Sequence, residues 1–447
     1  MKILILLAFF LSAQAISNSN TTVIGLAYEG ITQASLKNGL KIIVKVDSRA
    51  PVFISQLWYK VGASNESRPN TGISHMLEHM MFKGTRQYPV GEFSRIIAKN
   101  GGDENAFTSK DYTAYYQKMH NSKLELELAI KMEADRMRNL TFSNRELDKE
   151  RQVVIEERRL RVEDNPNAKI FEQLRIISYD ESGAYHAPVI GFQADIETYR
   201  LSDLRNWYEK YYAPNNATLV VVGDVDPKQV IGYAQQYFSS YAFNPNIDTL
   251  KDKPPIALIK QSKQLKVKAK LPLYTMAFHV PSLVSAKNKM QAYQLEMLAY
   301  VLDNGLSKTL VRDRQIATSI SVSYRLYDKY QTQFNISFIA AQGIENNTII
   351  DAIKQQVAEL IKTPNLLKDE IRRTKAQLEA NFVFEQDQIS TQSYYLGMLE
   401  TVGLGIDKMF TYVDKMNEVT DKDLSNVANM YLNFDNVNTV ELLPQGF

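Results

Sequence analysis

Between Thr71 and Lys83 the chain reads TGISHMLEHMMFK, and Ile73, Met76, Leu77 and Met80 recur at the intervals of one helix face. That face is apolar, which leaves His75, Glu78 and His79 together on the other, because residues three and four apart are helix neighbours. Elsewhere the runs FISQLWYKVG and ATLVVVG predict strands. A long charged helix is predicted over residues 143 to 166, opening with the capping box Ser143-x-x-Glu146 and stopping at Asp164-Asn165-Pro166. Strand and helix patterns mix throughout, which predicts an α+β class.

The pattern also repeats. Residues 201 to 222 read LSDLRNWYEKYYAPNNATLVVV, and 421 to 440 read DKDLSNVANMYLNFDNVNTV. Asp203-Leu204, Tyr211 and Asn216 recur as Asp423-Leu424, Tyr431 and Asn436, each 220 residues on, which is half the chain. Both copies predict an amphipathic helix, a turn and a β-branched strand. The expectation is two homologous domains: residues 16–242, a linker at 243–258 carrying Pro245 and Pro254-Pro255, and residues 259–447.

Composition then narrows the function. The 447 residues carry 52 basic and 50 acidic side chains, net +2, which gives no reason to expect nucleic acid. Lys2, the apolar run Ile3–Leu11 and the small residues of Ala13-Gln14-Ala15 form a signal-peptide pattern over residues 1–15. Nothing later in the chain has the length of a membrane span. The expected product is exported, periplasmic in the first instance and secreted in the second, with no stable membrane anchor. Cysteine is absent, so any bound metal must be held by imidazole and carboxylate.

His75 and His79, at i and i+4, can grip one cation while Glu78 reaches a water on it. A catalytic zinc wants a third protein ligand, and the charged helix offers Glu150 and Glu157, nearly two turns apart on one face. Glu156 points about 100° away and is the alternative. His120, His186 and His279 lack partners at ligand spacing and read as structural.

His75-x-x-Glu78-His79, then Phe82-Lys83-Gly84-Thr85, GGDENAFTSKDYTAYY, the Glu150/Glu157 helix and YYAPNNATLVVVGDVD resemble the pitrilysin/insulysin family of inverted zincins. The likeness is greatest to its short bacterial members and to the catalytic subunit of the mitochondrial processing peptidase. It implies two homologous domains, each an antiparallel-rich sheet packed with helices, arranged around a substrate chamber. It also implies one zinc per chain on His75, His79 and Glu157, with Glu78 as general base. Glu150 would assist by orienting a ligand or balancing charge, and the Asn105-Ala106 strand edge would pair with an extended peptide.

The second half departs from the pattern. Leu295-Glu296-Met297 stands where Leu77-Glu78-His79 stands in the first, so no zinc site is expected there. Family members use a C-terminal arginine and, seven residues on, a tyrosine to hold substrate. LVRDRQIATSISVSY keeps Arg312 and Arg314 but has Thr318-Ser319 where the tyrosine belongs, and Tyr324 lies further along. The expectation is therefore a zinc endopeptidase acting on short or unfolded peptides. It would work as the zinc-bearing partner in a heterodimer with a homologous chain supplying the arginine and tyrosine, or as a homodimer. A different class is a non-catalytic peptide-binding or assembly subunit of the same fold.

Overall fold

The computed structural model describes residues 21–28, 30–248 and 260–445. The signal-peptide pattern at 1–15 and the greater part of the expected linker lie outside the described residues.

The first half forms a seven-stranded sheet of β1 (Thr21–Tyr28), β2 (Ile31–Leu36), β3 (Lys41–Val46), β4 (Val52–Tyr59), β5 (Asp103–Thr108), β6 (Thr113–His120) and β7 (Ala217–Gly223). The second half forms a five-stranded sheet of β8 (Ser262–Val267), β9 (Leu273–Val280), β10 (Ala317–Tyr324), β11 (Thr332–Ala340) and β12 (Asn438–Pro444). Spatial order is β1-β2-β3-β7-β4-β6-β5 in one and β10-β11-β9-β12-β8 in the other. Five strands of the first sheet, β5-β6-β4-β7-β3, therefore match all five of the second, each set with one parallel pair, β3 with β7 and β8 with β12. The repeat read from the sequence lies at equivalent places. Leu201–Tyr211 and Asp421–Tyr431 are helices, each followed by a short 3₁₀ turn and then by β7 or β12.

The two halves are interlocked. β7 is buried at every position, which requires cover on both faces of the sheet. One face packs on first-half helices. The other is covered by the Ile389–Thr401 helix of the second half, through Leu396 and Leu399 against Ile43, Ile54 and Trp58. Reciprocally, the Pro166–Ser178 helix of the first half places Ile170 and Leu174 on Leu273, Ala277 and Val440 of the second sheet. Gly397 permits the first contact, since a Cβ there would stand 2.1 Å from the Trp58 ring. Polar ties cross the same seam: Lys110 Nζ to Asp328 Oδ2 at 2.7 Å, and the Lys329 amide to Asp111 at 3.1 Å.

Candidate active site

The helix Ile73–Met80 starts after Gly72, whose φ of +83° and whose closeness to Ile190 O exclude a side chain. Its free amides are met by Glu66, which accepts from Gly72 N at 2.5 Å and Ser74 N at 2.9 Å. Burial of Glu66 pushes its carboxyl up to about 7. The apolar face predicted from the sequence, Ile73, Met76, Leu77 and Met80, is in the core. The acidic helix runs Asn144–Arg158, capped by the Ser143 hydroxyl on Glu146 N at 3.2 Å, and then widens into a π-type turn over Arg159–Glu163.

These two helices bring His75, His79 and Glu157 together, with one ligand atom from each within 4.8 Å of the others. Glu157 Oε1 lies 3.7 Å from His75 Nε2, and its Oε2 lies 3.3 Å from His79 Nε2. The other nitrogen of His79, Nδ1, faces Glu150 Oε2 at 3.1 Å, and Lys83 Nζ holds the second Glu150 oxygen at 2.6 Å. Glu156 is turned to solvent and pairs with Arg159 at 2.9 Å. Glu78 accepts a hydrogen bond from the Thr108 hydroxyl at the end of β5.

The charges are unequally placed. Burial, with the neighbouring His79, holds His75 down to about 4. Burial also opposes charge on His79, but its bonds to Glu150 and Glu157 lift it to about 9. Burial raises the Glu78 carboxyl above the usual carboxylate range, and Thr108 moderates the rise. Two imidazole nitrogens and a carboxylate converging without cysteine form a zinc-type donor set. The residues fit the metal.

A cavity of about 920 Å³ opens over this cluster, and Asn105, Ala106 and Thr108 of β5 line it. Among the described residues β6 is the one strand that pairs with β5, Asn105 opposite Tyr116 and Ala106 opposite Tyr115, and the other edge of β5 carries no strand, its Ala106 amide being met by the Asn105 side chain at 2.8 Å. All lining residues lie between His75 and Ile190. The second half thus lines none of this cavity and supports its wall from behind. The wall here is the Pro166–Ser178 helix, which turns Phe171 and Arg175 to the cavity and seats its opposite face on the second sheet. Arg312 is not brought to this cavity; it is exposed in the turn Ser307–Asp313. Thr318 and Ser319 lie on β10, and the Tyr324 hydroxyl is engaged by Pro281 O at 2.7 Å.

Among the other histidines, His186 bonds Tyr179 O at 2.8 Å, and His279, pushed down to about 4 by burial, packs on Tyr179. Sequence reasoning did not assign Thr108, Lys83 or Arg161, whose guanidinium lies 2.7 Å from Glu157. The signal for two of them was present, since Lys83 and Arg161 follow His79 and Glu157 by four residues.

A duplicated α+β scaffold with a His-His-Glu cluster beside a free strand edge has the structural class of a metallopeptidase. The chain belongs to the insulinase family of peptidases, M16: the family's "Insulinase (Peptidase family M16)" domain matches residues 41–186 and its "Peptidase M16 inactive domain" matches 199–378. It is 29% identical to "Zinc protease PqqE" of Helicobacter pylori, over 93% of each chain. The crystal structure of a protease from Helicobacter pylori superposes with a TM-score of 0.85 at 27% identity, covering 93% of this chain and 99% of that one. The periplasmic protease PqqL from Escherichia coli shares the fold, with a TM-score of 0.75 at 18% identity, over 94% of this chain and 48% of that one.

Proposed function

We propose that the chain is a zinc endopeptidase in which His75, His79 and Glu157 hold one zinc ion and Glu78 is the general base. The convergence of those three ligand atoms beside Glu78, under the free edge of β5, carries the reading. Zinc bound there would supply Lewis-acid polarisation of the scissile carbonyl and acidify a water. Glu78 takes the proton of the attacking water and returns it to the departing amine nitrogen, so the carboxylate is regenerated and no covalent intermediate forms. The Thr108 hydroxyl holds one Glu78 oxygen and leaves the other for the water. Glu150 orients His79 from behind, and Lys83 holds Glu150 in turn. The main-chain groups of Asn105-Ala106 pair with an extended peptide, which selects for short or unfolded substrates without reading a particular sequence.

The absent tyrosine and the exposed position of Arg312 support a second chain completing the substrate grip, as a homologous partner or a second copy. Residues 1–15 act as a signal peptide, residues 16–242 as the zinc domain, and residues 259–447 after the linker as its homologue without zinc. Export to the periplasm agrees with the leader pattern and with the periplasmic relative. Among the described residues no helix is long and apolar enough to cross a membrane.

The test is cleavage of a quenched fluorescent peptide library by zinc-loaded protein, alone and with its homologous partner, beside Glu78→Gln. Zinc-dependent cleavage by wild type and none by Glu78→Gln is expected. Equal activity in the two removes the assignment of Glu78, and full activity of the single chain as a monomer removes the partner.

A further inference from the structure

The duplication gives the second half its own version of the hollow that holds the histidines. The Lys289–Leu306 helix packs on edge strand β10 as the Ile73–Met80 helix packs on β5, and the Lys368–Glu385 helix lies against it as the acidic helix lies against the first. Around Glu296, Tyr293 and Met297 take the places that His75 and His79 hold around Glu78. Glu385 follows Leu378 by seven residues, the interval from Glu150 to Glu157. Two carboxylates of the pattern persist as Glu296 and Glu385, while Leu378 stands where Glu150 does and both imidazoles are gone, which removes the donor set a zinc ion needs.

A hollow persists as well. A cavity of about 100 Å³ is lined by Glu296, by the rings of Tyr300, Tyr327, Tyr395 and Tyr412, and by Glu385, which is exposed. Glu296 Oε2 is buried without a hydrogen-bond partner among the described residues. Burial pushes its carboxyl up to about 8, moderated only by the Tyr412 hydroxyl. Among the described residues no lysine, arginine or histidine lines the cavity to balance it. An aromatic wall attracts a cation through the ring faces, and an orphaned carboxylate oxygen is satisfied by an N–H donor.

We propose that this cavity is a binding site for a primary alkylammonium group, from a free aliphatic amine or a lysine side chain, held by Glu296 between the tyrosine rings with Glu385 outside. A quaternary ammonium would suit the rings but leave the carboxylate oxygen without a donor, and a neutral alkyl chain would supply no counter-charge to draw the buried carboxyl into its ionised form.

Isothermal titration of the full chain with n-butylamine, Nα-acetyl-lysine amide, tetramethylammonium and n-butanol tests this independently of peptidase activity. Saturable binding of butylamine or the lysine derivative is expected, with tetramethylammonium and butanol weaker. Preference between the first two identifies the source. Glu296→Gln is expected to weaken binding by roughly tenfold or more. Absence of binding by both amines, equal binding of butanol or tetramethylammonium, or unchanged affinity in a folded Glu296→Gln overturns the proposal. Should that variant not fold, Tyr300→Ala, at a residue already 41% exposed, replaces it, and unchanged affinity there is equally fatal.

Discussion

Glu150→Gln isolates the group proposed to orient the site without touching the metal. In the wild type, Glu150 faces His79 Nδ1 at 3.1 Å, while the opposite ring nitrogen points to Glu157 at 3.3 Å. Glutamine keeps the size and one acceptor but removes the charge that raises the basicity of His79, and it leaves Lys83 without the carboxylate now 2.6 Å away. Losing such a supporting bond costs roughly 10- to 100-fold in metal affinity. At about 1.4 kcal/mol per tenfold, that is about 1.4–2.8 kcal/mol. Competition against a fluorescent zinc chelator measures it directly, and kcat/KM at saturating zinc shows how much of the activity loss is simply loss of metal. Lys83→Met closes a double-mutant cycle, where a coupling of about 0.5–3 kcal/mol is expected for groups in one network. A zinc affinity for Glu150→Gln within twofold of wild type would refute the reasoning, because His79 would then need no orientation from behind.

Three further outcomes follow from the geometry. Gly397→Val drives a Cβ to within 2.1 Å of the Trp58 ring at the seam between the halves, with an expected destabilisation of about 1–3 kcal/mol or more; unaltered limited proteolysis and melting would contradict the interlock. Glu296 has a folded carboxyl pKa of about 8 against an ordinary 4.5, so the stability it contributes is full below about 4.5 and is lost as pH rises through about 8. Melting curves across that window should be flatter in Glu296→Gln than in wild type, and parallel curves would count against the burial cost. Arg312→Ala should leave single-chain kcat/KM within about twofold, since its side chain is exposed and away from the cavity; a large fall in kcat/KM would mean that it reaches substrate within its own chain.

The histidine helix was legible because everything that defines it is local. Apolar spacing sets the buried face, and i, i+3 and i+4 geometry puts His75, Glu78 and His79 on the other. The duplication was legible for a related reason, since the helix, turn and strand of each copy carry their own pattern. The choice between Glu156 and Glu157 was not. A helix pattern shows that they point apart, but which of them meets the histidines depends on how the acidic helix is rotated against its neighbour. Thr108 was missed because nothing near it in the chain marks it; it meets Glu78 only when β5 closes over the histidine helix.

The kind of donor available was written in the chain, imidazole and carboxylate, since a chain without cysteine, with two histidines one helical turn apart, leaves few ways to hold a metal. It also determined the α+β class and the two copies, because amphipathic period and turn chemistry are written residue by residue. Tertiary structure alone decided that each half lends a helix to the other's sheet, so that Leu396 and Leu399 bury on strands more than 300 positions earlier in the chain. It also decided that the Pro166–Ser178 helix walls the cavity, and that Glu296 is enclosed among tyrosines. Those outcomes depend on which apolar faces meet across long chain separations, and the periodicity of a segment states that it has a face to bury without stating what will cover it.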